Sequence, residues 1–277
     1  MIKKILVALD ASSHAKAVTA YALWLGRGFR AELTGLHVVD VVAMEGPFLH
    51  DLSGSLGFEP FLNFSTKMRE ALEATGRDIL ETFKEDCEKA GVESSVVMAS
   101  GIVSNEICSR ARTFDLVIIG RRGINVRFEH GLFGSATEGV IRKSPGPVFV
   151  SPGEFKPPVK PLLAYDGSPN AAKAMRAAAE FSKTFAFPLT VLAAAKAADD
   201  EGVLKEARDY LRLCGVNADF VRVPGQPSEG IADYYGKNGH DILFMGATHH
   251  SRIAQMVLGS TTEGVMRSVE GPFFLER

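Results

Sequence analysis

The sequence is short of several things, and each shortage removes a class of function. It has almost no charge bias: 31 Lys and Arg face 33 Asp and Glu, for a net charge of −2 over 277 residues. That gives no electrostatic footprint for nucleic acid or an acidic lipid surface. Cysteine is scarce. Cys87, Cys108 and Cys214 lie far apart and form no metal-binding or redox pair, which fits a reducing, cytoplasmic setting. No apolar run approaches the roughly 18 residues of a membrane span. The opening MIKKILVALD sets two lysines before an apolar stretch, but Asp10 ends that stretch after five residues. This is too short for a signal-peptide core and reads instead as a buried first strand.

What remains has the composition of a globular protein, 46% hydrophobic and 23% charged, and is long enough for two domains. An internal repeat settles the division. Residues 134–150 read GSATEGVIRKSPGPVFV and residues 259–275 read GSTTEGVMRSVEGPFFL, identical at ten of 17 positions without a gap. Before each block stands an apolar run closed by glycine, DLVIIG (115–120) and DILFMG (241–246). Further back, ILVALDAS (5–12) matches LLAYDGS (162–168). The proline- and lysine-rich stretch 153–160 reads as a linker between a first domain, 1–152, and a second, 161–277. The first copy is about 31 residues longer in its middle. The aromatic-rich segment Val41 to Phe64 shows neither helical nor strand period and is read as an insertion that packs on something.

Each copy alternates strand and helix. In the first, strands are expected at 3–9, 32–39, 94–99, 115–120 and 147–151, with helices near 13–28, 66–90, 103–113 and 135–144. In the second, strands are expected at 161–165, 188–195, 218–223, 241–246 and 271–275. The strands are near-continuous Val/Ile/Leu/Phe runs, the pattern of parallel strands covered on both faces. The expected fold class is α/β: two tandem, doubly wound, Rossmann-like parallel five-stranded sheets flanked by helices. Such sheets bind ligands beyond the carboxyl ends of their strands, at the switch point. The Asp-x-Ser corners and the glycine loops both fall there.

The loop chemistry differs between the copies. The first has Gly120, Arg121, Arg122 and Gly123, then ten residues before Gly134-Ser135; the second has Gly246, Ala247, Thr248 and His249, then nine residues before Gly259-Ser260. Glycines let backbone approach a ligand, and amides at a helix start can hold phosphate oxygens. Arg121 and Arg122 would add charge-assisted contacts there, or be solvated loop residues. Two plainer readings compete. Ser135-x-x-Glu138 and Ser260-x-x-Glu263 are capping-box patterns, and Asp10 and Asp166 suit turns or helix caps. The pair His249-His250 lacks the further ligands that a metal would need.

These residues together resemble the universal stress protein family in its tandem-domain form: a strand-1 Asp, a G-x-x-G loop about nine residues before G-(S/T), and a terminal Gly-Pro strand recur in order in both copies, with one extra residue in the first loop and His249 at the second glycine of the second. The resemblance implies an adenine nucleotide, ATP or a relative, with Mg²⁺ arriving on its phosphates. Asp10 and Asp166 would contact the adenosine. Gly120, Gly123, Gly134 and Ser135, continuing into Ala136 and Thr137, would cradle phosphates in the first copy. Gly246, Ala247, His249, Gly259, Ser260, Thr261 and Thr262 would do so in the second. Val38-Val39 and Ala193-Ala194 would line the adenine pockets through backbone groups. It further implies a regulatory stress-response protein with little or no turnover. A slow ATPase or nucleotidyl-transfer enzyme and an interaction module without nucleotide remain as alternatives. The two copies are expected to form a pseudo-dimer through Pro147–Val150 and Pro272–Leu275, with a homodimer of the whole chain left open.

Overall fold

A computed structural model of the chain describes residues 1–40, 58–123, 134–195, 200–247 and 259–277. The first half runs β1 (Lys4–Leu9), α1 (Ala15–Phe29), β2 (Glu32–Asp40), α2 (Phe58–Ala90), β3 (Ser94–Gly101), α3 (Val103–Arg110), β4 (Leu116–Gly120), α4 (Ser135–Lys143) and β5 (Val148–Ser151). The second half repeats it as β6 (Pro161–Ala164), α5 (Pro169–Phe185), β7 (Leu189–Ala195), α6 (Asp200–Leu213), β8 (Ala218–Pro224), α7 (Pro227–Lys237), β9 (Ile242–Gly246), α8 (Ser260–Ser268) and β10 (Phe273–Glu276).

All pairings within each half are parallel, in the order 3-2-1-4-5 and its counterpart 8-7-6-9-10. The halves meet at their last strands. Val148, Phe149 and Val150 pair antiparallel with Leu275, Phe274 and Phe273, making one sheet of ten strands. This is the junction expected from the two Gly-Pro strands, and it gives each edge the partner that the other supplies.

Strand alternation divides the core into two layers. Val7, Leu33, Leu116 and Phe149 share one face with Leu163, Phe181, Phe244 and Phe274; Leu6, Leu36, Val117 and Val148 share the other with Leu162, Leu243 and Phe273. Each layer therefore crosses the junction. On the first face, α1 buries Val18, Tyr21, Ala22, Leu25 and Phe29 at helical spacing and meets α5. There Trp24 stacks on Phe185 with ring centroids 4.2 Å apart, and Phe29 meets Phe181 edge-on at 4.8 Å. Gly28 makes the approach possible, since a Cβ there would lie 2.3 Å from the Phe185 ring.

One expectation is corrected. The Val41–Phe64 segment was read as lacking helical period, yet α2 already begins at Phe58. Pro60 falls in its first turn, where the missing amide has no helical acceptor to lose, so the proline starts the helix rather than breaking it. Residues 41–57 lie outside the described residues.

Candidate functional site

In the first half the strand order reverses between β1 and β4, and the chain opens a cavity of about 340 Å³ beyond their carboxyl ends. This volume lies at the lower end of small-molecule pockets. Its walls include Asp10 after β1, Val38 and Val39 at the end of β2, Gly120, Arg122 and Gly123 after β4, and Gly134 to Thr137 at the start of α4. Residues more than a hundred positions apart converge here because parallel strands all end on the same side.

The turn reading of Asp10 holds for half of its carboxylate. Oδ1 accepts from the Ser12 amide at 3.0 Å, closing an Asx turn. Oδ2 faces the glycine loop: a Cβ at Gly123 would lie 3.0 Å from it. Gly120 and Gly123 both lie outside the left-handed region, and Gly134 has φ −60° and ψ 146°. None of the three is glycine because the backbone demands it. What glycine supplies at Gly123 is open ground in front of Asp10.

The capping-box pattern is not realised. Gly134, not Ser135, is the N-cap of α4, so the cap position carries no side chain that could close the box. Glu138 pairs with Arg142 one turn on, as Glu263 does with Arg267 at 2.6 Å in α8. The i,i+4 partner of opposite charge outcompetes the reach back to the cap. The helix is anchored instead by Thr137, whose Oγ1 donates to the Gly120 carbonyl at 2.7 Å. Its first residues line the cavity, so the positive end of the helix dipole is turned toward it.

Sequence reading missed part of the wall. His37, Leu72, Thr75, Val103 and Ile107 also line the cavity. The His37 ring is held by the Leu9 carbonyl at 2.9 Å, and Gly76 lets α2 close over it, since a Cβ there would lie 2.5 Å from Cδ2. Leu72, Thr75 and Gly76 share one helix face, but nothing in sequence said which strand that face would cover.

The second half is built on the same frame and tightened. Asp166 Oδ1 accepts from the Ser168 amide at 3.0 Å, repeating the Asx turn, but Asp166 is exposed. Ser168 caps α5 by accepting from Ala171 N at 3.2 Å, and Asn170 donates to the Ala247 carbonyl at 3.0 Å. A Cβ on Gly246 would lie 2.6 Å from Ala171 N. Gly246 and Ala247 at the end of β9 are thus packed against the start of α5. At the start of α8, Gly259 is the N-cap and has φ −59°, and Ser260 and Thr261 begin the helix. Thr262 Oγ1, the counterpart of Thr137, is fully buried and finds no partner among the described residues.

Sheet register also moves one pair. Ala8 lies opposite Leu36 and Ala164 opposite Leu192, so the counterparts of Val38 and Val39 are Ala194 and Ala195, rather than Ala193 and Ala194. Ala193 matches His37. His249 lies outside the described residues.

Arg121 is not among the residues that line the cavity. Its guanidinium crosses to the second half, donating to the Val269 carbonyl at 2.8 Å and to the Met266 carbonyl at the end of α8, with the Phe273 ring 5.6 Å beneath. Burial, and then the neighbouring Arg122, pull its pKa down. The reason for the departure is local: successive residues after β4 point to opposite sides, so Arg122 takes the cavity side and Arg121 the junction.

Fold and site define a tandem α/β protein with a cavity at the switch point of its first half. Comparison places it more closely: the model of the universal stress protein family matches residues 1–152 and 160–275, and the chain belongs to that family. It is 30% identical to universal stress protein Slr1230 of Synechocystis, over 98% of both chains. It is 31% identical to YxiE of Bacillus subtilis, over 54% of this chain and 99% of that one. Among solved structures, a universal stress protein from Archaeoglobus fulgidus superposes with a TM-score of 0.75 at 20% identity, covering 99% of this chain and 96% of that one. That likeness supports the fold.

Proposed function

We propose that the first half binds an adenine nucleotide, ATP or a close relative, and that occupancy rather than turnover is its output as a regulatory protein. The observation that carries this reading is the meeting, in one cavity, of a half-buried aspartate, a glycine-lined loop and a helix start whose cap residue is glycine. Asp10 Oδ2 would accept from sugar hydroxyls, because a carboxylate offers only acceptors. The backbone of Val38 and Val39 would flank the base. The amides that open α4, the Ser135 hydroxyl and the Arg122 guanidinium would hold the phosphates, with Mg²⁺ carried in on them.

The groups at the phosphate end are amides, a hydroxyl and a guanidinium. Among the described residues at that end, none is a general base, which supports binding with little hydrolysis. The second half would bind more weakly, because Asn170 and Ala171 press on the loop after β9. The test is to extract nucleotide from protein purified without added ligand, and then to measure phosphate release. The expected outcome is bound adenine nucleotide with turnover near the uncatalysed background. Turnover well above background would favour the slow enzyme, and protein that neither carries nor takes up nucleotide would favour the interaction module.

A further inference from the structure

The contact made by Arg121 joins two places that the repeat would otherwise keep apart. Its backbone belongs to the first cavity's loop: its amide donates to the Ser151 carbonyl at 2.9 Å, and its carbonyl accepts from Gly134, the residue that starts α4, at 3.2 Å. Its side chain belongs to the second half, where it bridges the carbonyls of Met266 and Val269 at the carboxyl end of α8. Cations are favoured at that end of a helix, and a guanidinium can serve two carbonyls at once. The other end of α8, about 13 Å away, is the second half's own glycine loop.

The link runs one way. The Ala247 amide donates to the Glu276 carbonyl as the Arg121 amide does to that of Ser151, so the two positions are equivalent in the repeat. Alanine's methyl group has no donor to return the contact. We propose that Arg121 is a positioning residue for the first cavity, and that it couples nucleotide binding there to the second half through the carboxyl end of α8. The loop that forms the cavity is completed by a contact that the other half supplies. By linkage, ligand held by this loop must in turn tighten the end of α8.

This inference rests on the nucleotide reading of the first cavity, and the experiment separates the two. A fluorescent ATP analogue is titrated into the full-length chain and into Arg121→Gln and Arg121→Lys, and backbone hydrogen exchange of residues 260–270 is followed with and without it. The expected result is that nucleotide slows exchange at the end of α8 in the natural chain. Both variants bind on the order of tenfold more weakly and lose that slowing, within the usual range for coupled sites. Lysine keeps the charge but does not rescue, because one ammonium replaces a planar fork. If the natural chain does not bind the analogue, the nucleotide reading itself fails. If it binds, and folded Arg121→Lys binds equally well with the same slowing of exchange, Arg121 is only a structural clasp and the coupling is overturned.

Discussion

At the scale of single residues, the repeat shows how one hydroxyl changes value with its surroundings. Thr137 and Thr262 occupy matching places in the identical blocks. The first donates to the Gly120 carbonyl at 2.7 Å; the second is buried without a partner among the described residues. A buried unpaired hydroxyl costs free energy, while a satisfied one returns some. Thr137→Val should therefore destabilise the chain by about 1–3 kcal/mol, and Thr262→Val should be neutral or stabilising. Urea unfolding of both variants checks this; equal losses from the two would show that Thr262 has a partner after all. The sequence identified both threonines but could not separate them, because a hydroxyl's value depends on which carbonyl the folded loop brings to it. The same limit applies to Arg121. Its neighbour Arg122 lines the cavity, and only the geometry after β4 distinguishes the two.

At the scale of elements, sequence was most informative where hydrophobic runs were longest. The ten strands fall close to their expected places; the central ones do so because buried parallel strands need unbroken apolar runs, while the edge strands β3 and β8 are more exposed. The helix starts were less legible. Ser-x-x-Glu is a capping signal only when the chain enters through the serine, and here it enters through Gly134 and Gly259. Gly246 is a further case: it reads as a loop glycine, yet its role is contact, with α5 starting 2.6 Å from where a Cβ would stand. Since the atom met is backbone, Gly246→Ala should cost about 1–3 kcal/mol or more of stability. Nucleotide affinity of the first half should stay unchanged, because that loop lies in the other half. Thermal unfolding with a parallel titration checks both, and a variant as stable as the natural chain would mean that β9 and α5 are not so closely packed.

At the scale of the whole molecule, duplication produced a continuous sheet without producing equal sites. The junction pairs only three positions of β5 with three of β10, but both core layers and the Trp24, Phe29, Phe181 and Phe185 rings cross it. The Gly-Pro strands foretold the pairing; the aromatic contact between α1 and α5 was not foreseen, since its residues lie about 155 positions apart and no local pattern joins them. The central claim is that the working site is in the first half. Gly134 and Gly259 test it directly, since both have extended backbone that valine accepts, and valine would add bulk at each helix start. Titration of a fluorescent ATP analogue into Gly134→Val and Gly259→Val is the decisive measurement. The account predicts that Gly134→Val weakens binding by roughly tenfold or more, about 1.4 kcal/mol, while Gly259→Val binds like the natural chain. Loss in Gly259→Val with binding kept in Gly134→Val would contradict it.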